Sequence, residues 1–186
     1  MRIERIKNFI SEDERLTLNA WVELGVQNGW LNYGLDRGRM GYNKRLTSRF
    51  YGDRFEYPPI VYDVDQRIKK LFGFERNPII DGHGKNGIVV SYTLNDGDVY
   101  EHRDNPRESD GMPTLRCNIL TQSAKEGGKL HIEGQEIDIE VGELHCYLAS
   151  EHSHSVSKVS GATPRILWMF GVHIPASSWE ISQVFN

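Results

Sequence analysis

Apolar and polar positions divide the chain into a helical first part and a β-rich second part. Leu16, Ala20 and Leu24 stand four residues apart with Trp21 beside them, the spacing of one helical face. Ser11 followed by Glu14 has the form of a capping box at its start. Gly25, Asn28 and Gly29 predict its end. Pro58-Pro59 predicts a second helix start, because the missing proline N–H would be unpaired in the first turn anyway. Val61, Val64, Ile68 and Leu71 form its apolar stripe, and Gly73 stops it. Between them, residues 30–57 follow neither period and read as an irregular hairpin or lid.

From residue 79 onward the pattern is that of strands. Ile88 to Thr93, Val99 to His102, Leu115 to Thr121, Lys129 to Ile132, Glu136 to Glu140, Glu143 to Leu148, Ser155 to Val159 and Arg165 to His173 are short apolar or alternating runs. Asn95-Asp96-Gly97-Asp98, Lys125-Glu126-Gly127-Gly128 and Gly134-Gln135 separate them as turns. Short strands with turns at regular intervals predict a sandwich or barrel. The fold class expected is mainly β with flanking helices, a jelly-roll core over 79–175 with helical and lid-like support over 1–78. One domain over 1–186 is expected, since no repeat, linker or low-complexity tract interrupts the chain.

Composition narrows the function classes. With 38% hydrophobic and 26% charged residues, the chain is globular. A net charge of −4 argues against a broad nucleic-acid-binding face. No run of eighteen apolar residues predicts a membrane span. The start, M-R-I-E-R-I-K-N-F-I-S-E-D-E, lacks signal-peptide features, so a cytoplasmic protein is expected. Cys117 and Cys146 lie in apolar runs without a C-x-x-C and read as buried free thiols. Residues 30–57 hold six basic residues against three acids, interleaved with aromatics. This segment reads either as a lid for an anionic or aromatic substrate or as a solvated loop.

The candidate chemistry sits in V-Y-E-H-R-D-N, residues 99–105. On an extended segment, residues i and i+2 point the same way, so His102 and Asp104 face one point while Arg103 faces solvent. Two histidines and one carboxylate on one face of a metal, with the other positions open, make the site of non-haem Fe(II) oxygenases. A third ligand must come from a distant strand. E-H-S-H-S-V-S-K-V-S-G-A-T-P-R offers His152 and His154. It ends on Arg165, which opens the apolar strand Ile166-Leu167-Trp168-Met169-Phe170. A guanidinium at such a position requires an anion, and a carboxylate suits its fork. Asn118, an amide between Cys117 and Ile119, also requires a partner. His83, His131, His145 and His173 read as loop or strand residues without a site role.

Over residues 86–173 the chain resembles the 2-oxoglutarate- and Fe(II)-dependent oxygenases, especially the small prolyl-hydroxylase-like and AlkB-like branches. The resemblance rests on Y-E-H-R-D, the G-G-K-L turn, V-G-E-L-H-C-Y and H-S-V-S-K-V-S-G-A-T-P-R. It implies a double-stranded β-helix, iron held by His102, Asp104 and His154, and Arg165 on the far carboxylate of 2-oxoglutarate. It nominates Tyr92 and Asn118 as further contacts to that cosubstrate, with O2 as oxidant and ascorbate as auxiliary reductant. No catalytic residue beyond the metal centre is implied. His152 stays open as the distal ligand; Val156 and Val159 favour His154. The interval from His154 to Arg165 is longer than the family's usual spacing, so Thr163-Pro164 should bulge. The implied activity is hydroxylation of a C–H bond in a protein residue or small molecule, coupled to oxidative decarboxylation of 2-oxoglutarate. Oxidative demethylation of a nucleobase ranks below it. Other readings are a metal cupin without 2-oxoglutarate and a non-enzymatic jelly-roll. The loop Asn105 to Pro113 is expected to help select the substrate.

Overall fold

The computed structural model describes residues 2–33, 44–47, 57–73, 87–106 and 111–174. In chain order its elements are β1 (Glu4–Ile6), α1 (Glu12–Gln27), β2 (Asn32–Tyr33), β3 (Arg45–Thr47) and α2 (Pro59–Leu71). Then come β4 (Ile88–Thr93), β5 (Val99–His102), β6 (Thr114–Gln122), β7 (Glu126–Gly127), β8 (Leu130–Ile132) and β9 (Gln135–Ile137). β10 (Leu144–Leu148), β11 (His154–Val156), β12 (Val159–Ser160) and β13 (Arg165–His173) complete the series. The architecture is the mainly β jelly-roll with flanking helices that the strand pattern predicts. A seven-stranded sheet runs β1-β10-β6-β13-β4-β3-β2, and a four-stranded sheet runs β5-β11-β8-β9. The pairings in both are antiparallel.

The large sheet is covered on both faces. Leu144, Cys146 and Leu148 of β10, Leu115, Cys117 and Ile119 of β6, and Ile166, Trp168 and Phe170 of β13 join the helices in one apolar core. Trp168 packs at 5.6 Å from Trp21 of α1 and 5.7 Å from Tyr57, centroid to centroid. Burying each such side chain stabilises the fold by roughly 1.5–3 kcal/mol. The alternate residues of the same strands face the small sheet, where Tyr147 and Ala149 pack on Leu130 and Ile132. That inner space holds the site.

The helices show where pattern reading succeeds and fails. The Ser11–Glu14 capping box forms as expected, and Val61, Val64, Ile68 and Leu71 of α2 are all buried. In α1, however, Leu16 and Leu24 are exposed, and the buried face is Leu18, Asn19, Val22 and Gly25. Two apolar faces compete along this helix. The winning face carries an amide, Asn19, that donates to the Thr121 carbonyl at 3.1 Å. Gly25, read as a terminator, lies inside the helix, which ends at Gln27 with Gly29 at φ +68°.

The first 78 residues also supply strands. β1 pairs with β10, and β2–β3 extends the large sheet beside β4, so this part is more than helical support. Most of the basic aromatic segment, over 34–43 and 48–56, lies outside the described residues, as do His83 and residues 107–110. Cys117 and Cys146 are buried free thiols, in register across β6 and β10. β13 is regular where it meets β6 except that Thr121 of β6 is passed over between the Ile166–Gln122 and Leu167–Leu120 pairs. Among the described residues, no helix is long and apolar enough to cross a membrane.

Candidate metal and anion site

His102 is the last residue of β5, and β5 is the edge strand of the small sheet. His154 opens β11, and the two histidines are register partners across that pair. Their ring centroids lie 4.3 Å apart. Beyond β5 the chain is tied to the end of β10, where the Asp104 N–H donates to the Ala149 carbonyl at 2.9 Å. His102, Asp104 and His154 each place one ligand atom within 4.8 Å of the others, a grouping that can hold a metal ion.

Backbone carbonyls set both imidazole tautomers. A carbonyl only accepts, so His102 donates from Nδ1 to Tyr100 O at 2.9 Å, and His154 donates from Nδ1 to His152 O at 3.1 Å. The Nε2 lone pair of each ring remains for a ligand. His102 Nε2 stands 3.6 Å from Asp104 Oδ1. The other carboxylate oxygen, Oδ2, accepts from Arg116 Nε at 2.6 Å. Burial opposes ionisation of Asp104, but the charge of Arg116 outweighs it. The Arg116 charge and its hydrogen bond, together with the nearby His102 ring, hold its carboxyl well below the usual range. Burial, then the neighbouring His102, lowers the His154 pKa to about 4, favouring the neutral form that can ligate a metal.

His152 does not join this group. Its Nδ1 lies 3.6 Å from Glu133 Oε1. Arg103 faces outward, 3.6 Å from the same carboxylate, as the strand alternation predicts.

A second set of polar groups faces the same interior. Arg165 alternates with the helix-facing Ile166, Trp168 and Phe170, and is only 3% exposed. Burial and the nearby Arg45 push its pKa down to about 10, so it is charged at neutral pH. Among the described residues no carboxylate pairs with it, and its Nε has no partner. Asn118 is buried with Oδ1 unpartnered, and Thr93 leaves its hydroxyl unpartnered. Arg165 and Gly128 meet closely; a Cβ at Gly128 would stand 3.0 Å from Arg165 Cδ. The Arg165 side chain also walls a cavity of about 130 Å³ with Leu120, Leu130, Ile137 and Ile139.

His145 departs from expectation. It is neither solvated nor satisfied: it is wholly buried, with both ring nitrogens unpartnered. Burial, and then the charges of Arg165 and Arg5, push its pKa down to about 3. The ordinary histidine value is about 6.5. Above that value His145 is neutral in the folded and unfolded chain alike, and stability is unaffected. As pH falls below it, the unfolded chain binds a proton that the native state refuses, so stability is lost; His154 acts in the same sense. The melting temperature of the metal-free protein should fall steadily from pH 6.5 to 4.5, and less steeply in His145→Gln. A flat profile in the native chain would contradict this account.

Two residues that sequence reasoning missed connect these groups. Tyr147 stacks edge-on to His154, with centroids 5.4 Å apart. Its hydroxyl is buried, hydrogen-bonded with Asn118, and feels the charges of Asp104, Arg116 and Arg165. Arg116 is the other. The argument that singles out Arg165, a cation in an apolar strand, applies equally to Arg116 in Leu115 to Thr121. Tyr92 is the converse. It lies on the helix-facing side of β4, in the outer core, and its hydroxyl donates to Glu23 of α1 at 3.4 Å. Its side chain lies on the opposite face of the sheet from Arg165 and Asn118.

Solved structures of similar fold include a Pseudomonas putida prolyl-4-hydroxylase, 17% identical, with a TM-score of 0.64 over 93% of this chain and 92% of that one. A Trichoplax adhaerens prolyl hydroxylase, solved with a hypoxia inducible factor oxygen degradation domain peptide fragment, is 19% identical. Its TM-score is 0.65 over 90% of this chain and 83% of that one. A viral collagen prolyl hydroxylase from Paramecium Bursaria Chlorella virus-1, in a 2-oxoglutarate complex, is 12% identical. Its TM-score is 0.62 over 94% of this chain and 97% of that one. At these identities the likeness establishes the fold. No family model and no curated protein matches the chain.

Proposed function

We propose that the protein is a 2-oxoglutarate- and Fe(II)-dependent oxygenase that hydroxylates a C–H bond. The observation that carries this reading is Arg165, a buried guanidinium that no carboxylate among the described residues pairs with, facing the same interior as the His102, Asp104 and His154 group. An unpaired buried charge is costly to keep. A small dicarboxylate reaching from the metal to Arg165 would supply the missing anion.

His102 Nε2, Asp104 Oδ1 and His154 Nε2 would hold the iron. Arg165 would fix the distal carboxylate of 2-oxoglutarate, with the Asn118 amide and the Tyr147 hydroxyl beside it. The unpartnered Nε–H of Arg165 and hydroxyl of Thr93, with a ring N–H of His145, suit an oxygen-rich dianion. When bound, iron, 2-oxoglutarate and O2 supply the oxidising chemistry, with succinate and CO2 as co-products. The chain supplies position and a dry interior. Leu130, Ile132, Tyr147 and Ala149 wall that interior and exclude water. Carbonyls of Tyr100 and His152 keep both imidazoles in the ligating tautomer. The substrate we favour is a peptide, since the Trichoplax protein of like fold was captured with one.

The test is conversion of 2-oxoglutarate to succinate by the Fe(II)-loaded protein in air, without added substrate, together with 2-oxoglutarate binding under nitrogen. Slow succinate formation and saturable binding are expected. If the metal-loaded protein neither turns over nor binds 2-oxoglutarate, the reading is wrong.

A further inference from the structure

Arg116 lies on β6 with Tyr147 of β10 in register on one side and Gly171 of β13 on the other. A Cβ placed at Gly171 would stand 2.6 Å from Arg116 Nη1 and 3.3 Å from Cζ. The guanidinium therefore crosses β13 where a side chain is missing. Gly171 is not among the glycines of positive φ, so backbone conformation does not call for glycine here; space does. From that position Arg116 Nε reaches Asp104 Oδ2 at 2.6 Å, while Oδ1 faces His102 Nε2.

We infer that Arg116 and Gly171 act together as a positioning pair for Asp104. Arg116 engages Oδ2, so the carboxylate offers a metal only Oδ1, on the side of the two imidazoles. A carboxylate held this way ligates through one oxygen and leaves the remaining metal positions open for small ligands. Gly171 is the gap that lets the guanidinium lie across the sheet. A Cβ there would push the end of the guanidinium aside and loosen its hold on Asp104, although no charge has been altered. This inference rests on the reading that His102, Asp104 and His154 hold iron, and concerns a feature outside those three ligands.

Co(II), an air-stable substitute for Fe(II), provides a readout independent of turnover. The native protein, Arg116→Met, Arg116→Lys and Gly171→Ala would be titrated with Co(II), following the visible d–d bands, with folding checked by circular dichroism. Loss of an outer partner of a metal ligand typically weakens affinity about 10–100-fold. That loss is expected for Arg116→Met and, in the same direction, for Gly171→Ala, each with a shift of the Co(II) bands as Oδ2 is freed. Arg116→Lys should recover part of the affinity. If Gly171→Ala fails to fold, the Met and Lys variants decide. Native Co(II) binding with equal or tighter binding and an unchanged spectrum in the variants overturns the positioning pair alone. Failure of the native protein to bind Co(II) overturns it together with the iron site.

Discussion

Asp104→Ala should abolish saturable metal binding and lower Fe(II)-dependent turnover of 2-oxoglutarate by on the order of a thousandfold or more. A metal ligand contributes several kcal/mol to the stabilisation of developing charge, and each 1.36 kcal/mol is a tenfold change in rate. The same substitution should also destabilise the metal-free protein. Asp104 is the anion that faces Arg116, and its removal leaves a half-buried guanidinium unpaired, at a cost of roughly 1–3 kcal/mol. The carboxyl is held below the usual range, so this contribution is fully present above the ordinary carboxylate pKa of about 3.9 and is lost only as pH falls through the folded value. The double variant Asp104→Ala, Arg116→Met separates the two effects. It should regain melting temperature without regaining metal binding. Recovery of both, or of neither, would mean that the pair is not organised as described.

Arg165→Met should show the opposite split. Truncating one partner of a buried charge pair costs about 2–5 kcal/mol of binding, so the Kd of the metal-loaded protein for 2-oxoglutarate should rise about 30-fold to several thousandfold. Metal binding should be unchanged, because Arg165 touches none of the three ligands. The metal-free protein should melt at the same temperature or higher. Methionine keeps the apolar stem against Gly128 and Leu130 and removes a buried charge that Arg45 repels and that no carboxylate among the described residues pairs with. A residue retained for function at a cost to stability behaves in this way. A melting temperature lowered by several degrees with 2-oxoglutarate affinity intact would identify Arg165 as structural instead.

How much of this was legible in the chain depends on what each residue had to signal against. His102 and Asp104 were legible because a two-residue interval on an extended segment puts both side chains on one face, whatever the fold. Arg165 was legible because a cation in a strongly apolar strand lacks an anion in its own neighbourhood. Asn118 was legible for the same reason. Arg116 carries the same signal in the strand Leu115 to Thr121, but its pairing with Asp104 appears only in the folded chain. The α1 face was misread because both faces are partly apolar and only the docking of Asn19 on Thr121 separates them.

Tyr92 marks the limit. All six residues of β4 are buried, as expected for a strand covered on both faces, so the polar–apolar alternation that would reveal the inner face is lost. The strand series, the metal-capable pair on one strand and the need of Arg165 for an anion follow from short-range geometry and the cost of burying charge, and so can be read along the chain. Which histidine stands opposite His102, which nitrogen each ring presents, and the place of Tyr147 between the two halves of the site emerge only on folding. So does the room that Gly171 leaves beside the Arg116 guanidinium. Each of these depends on the register between strands far apart in the chain, and register is set by the packing of the whole sandwich.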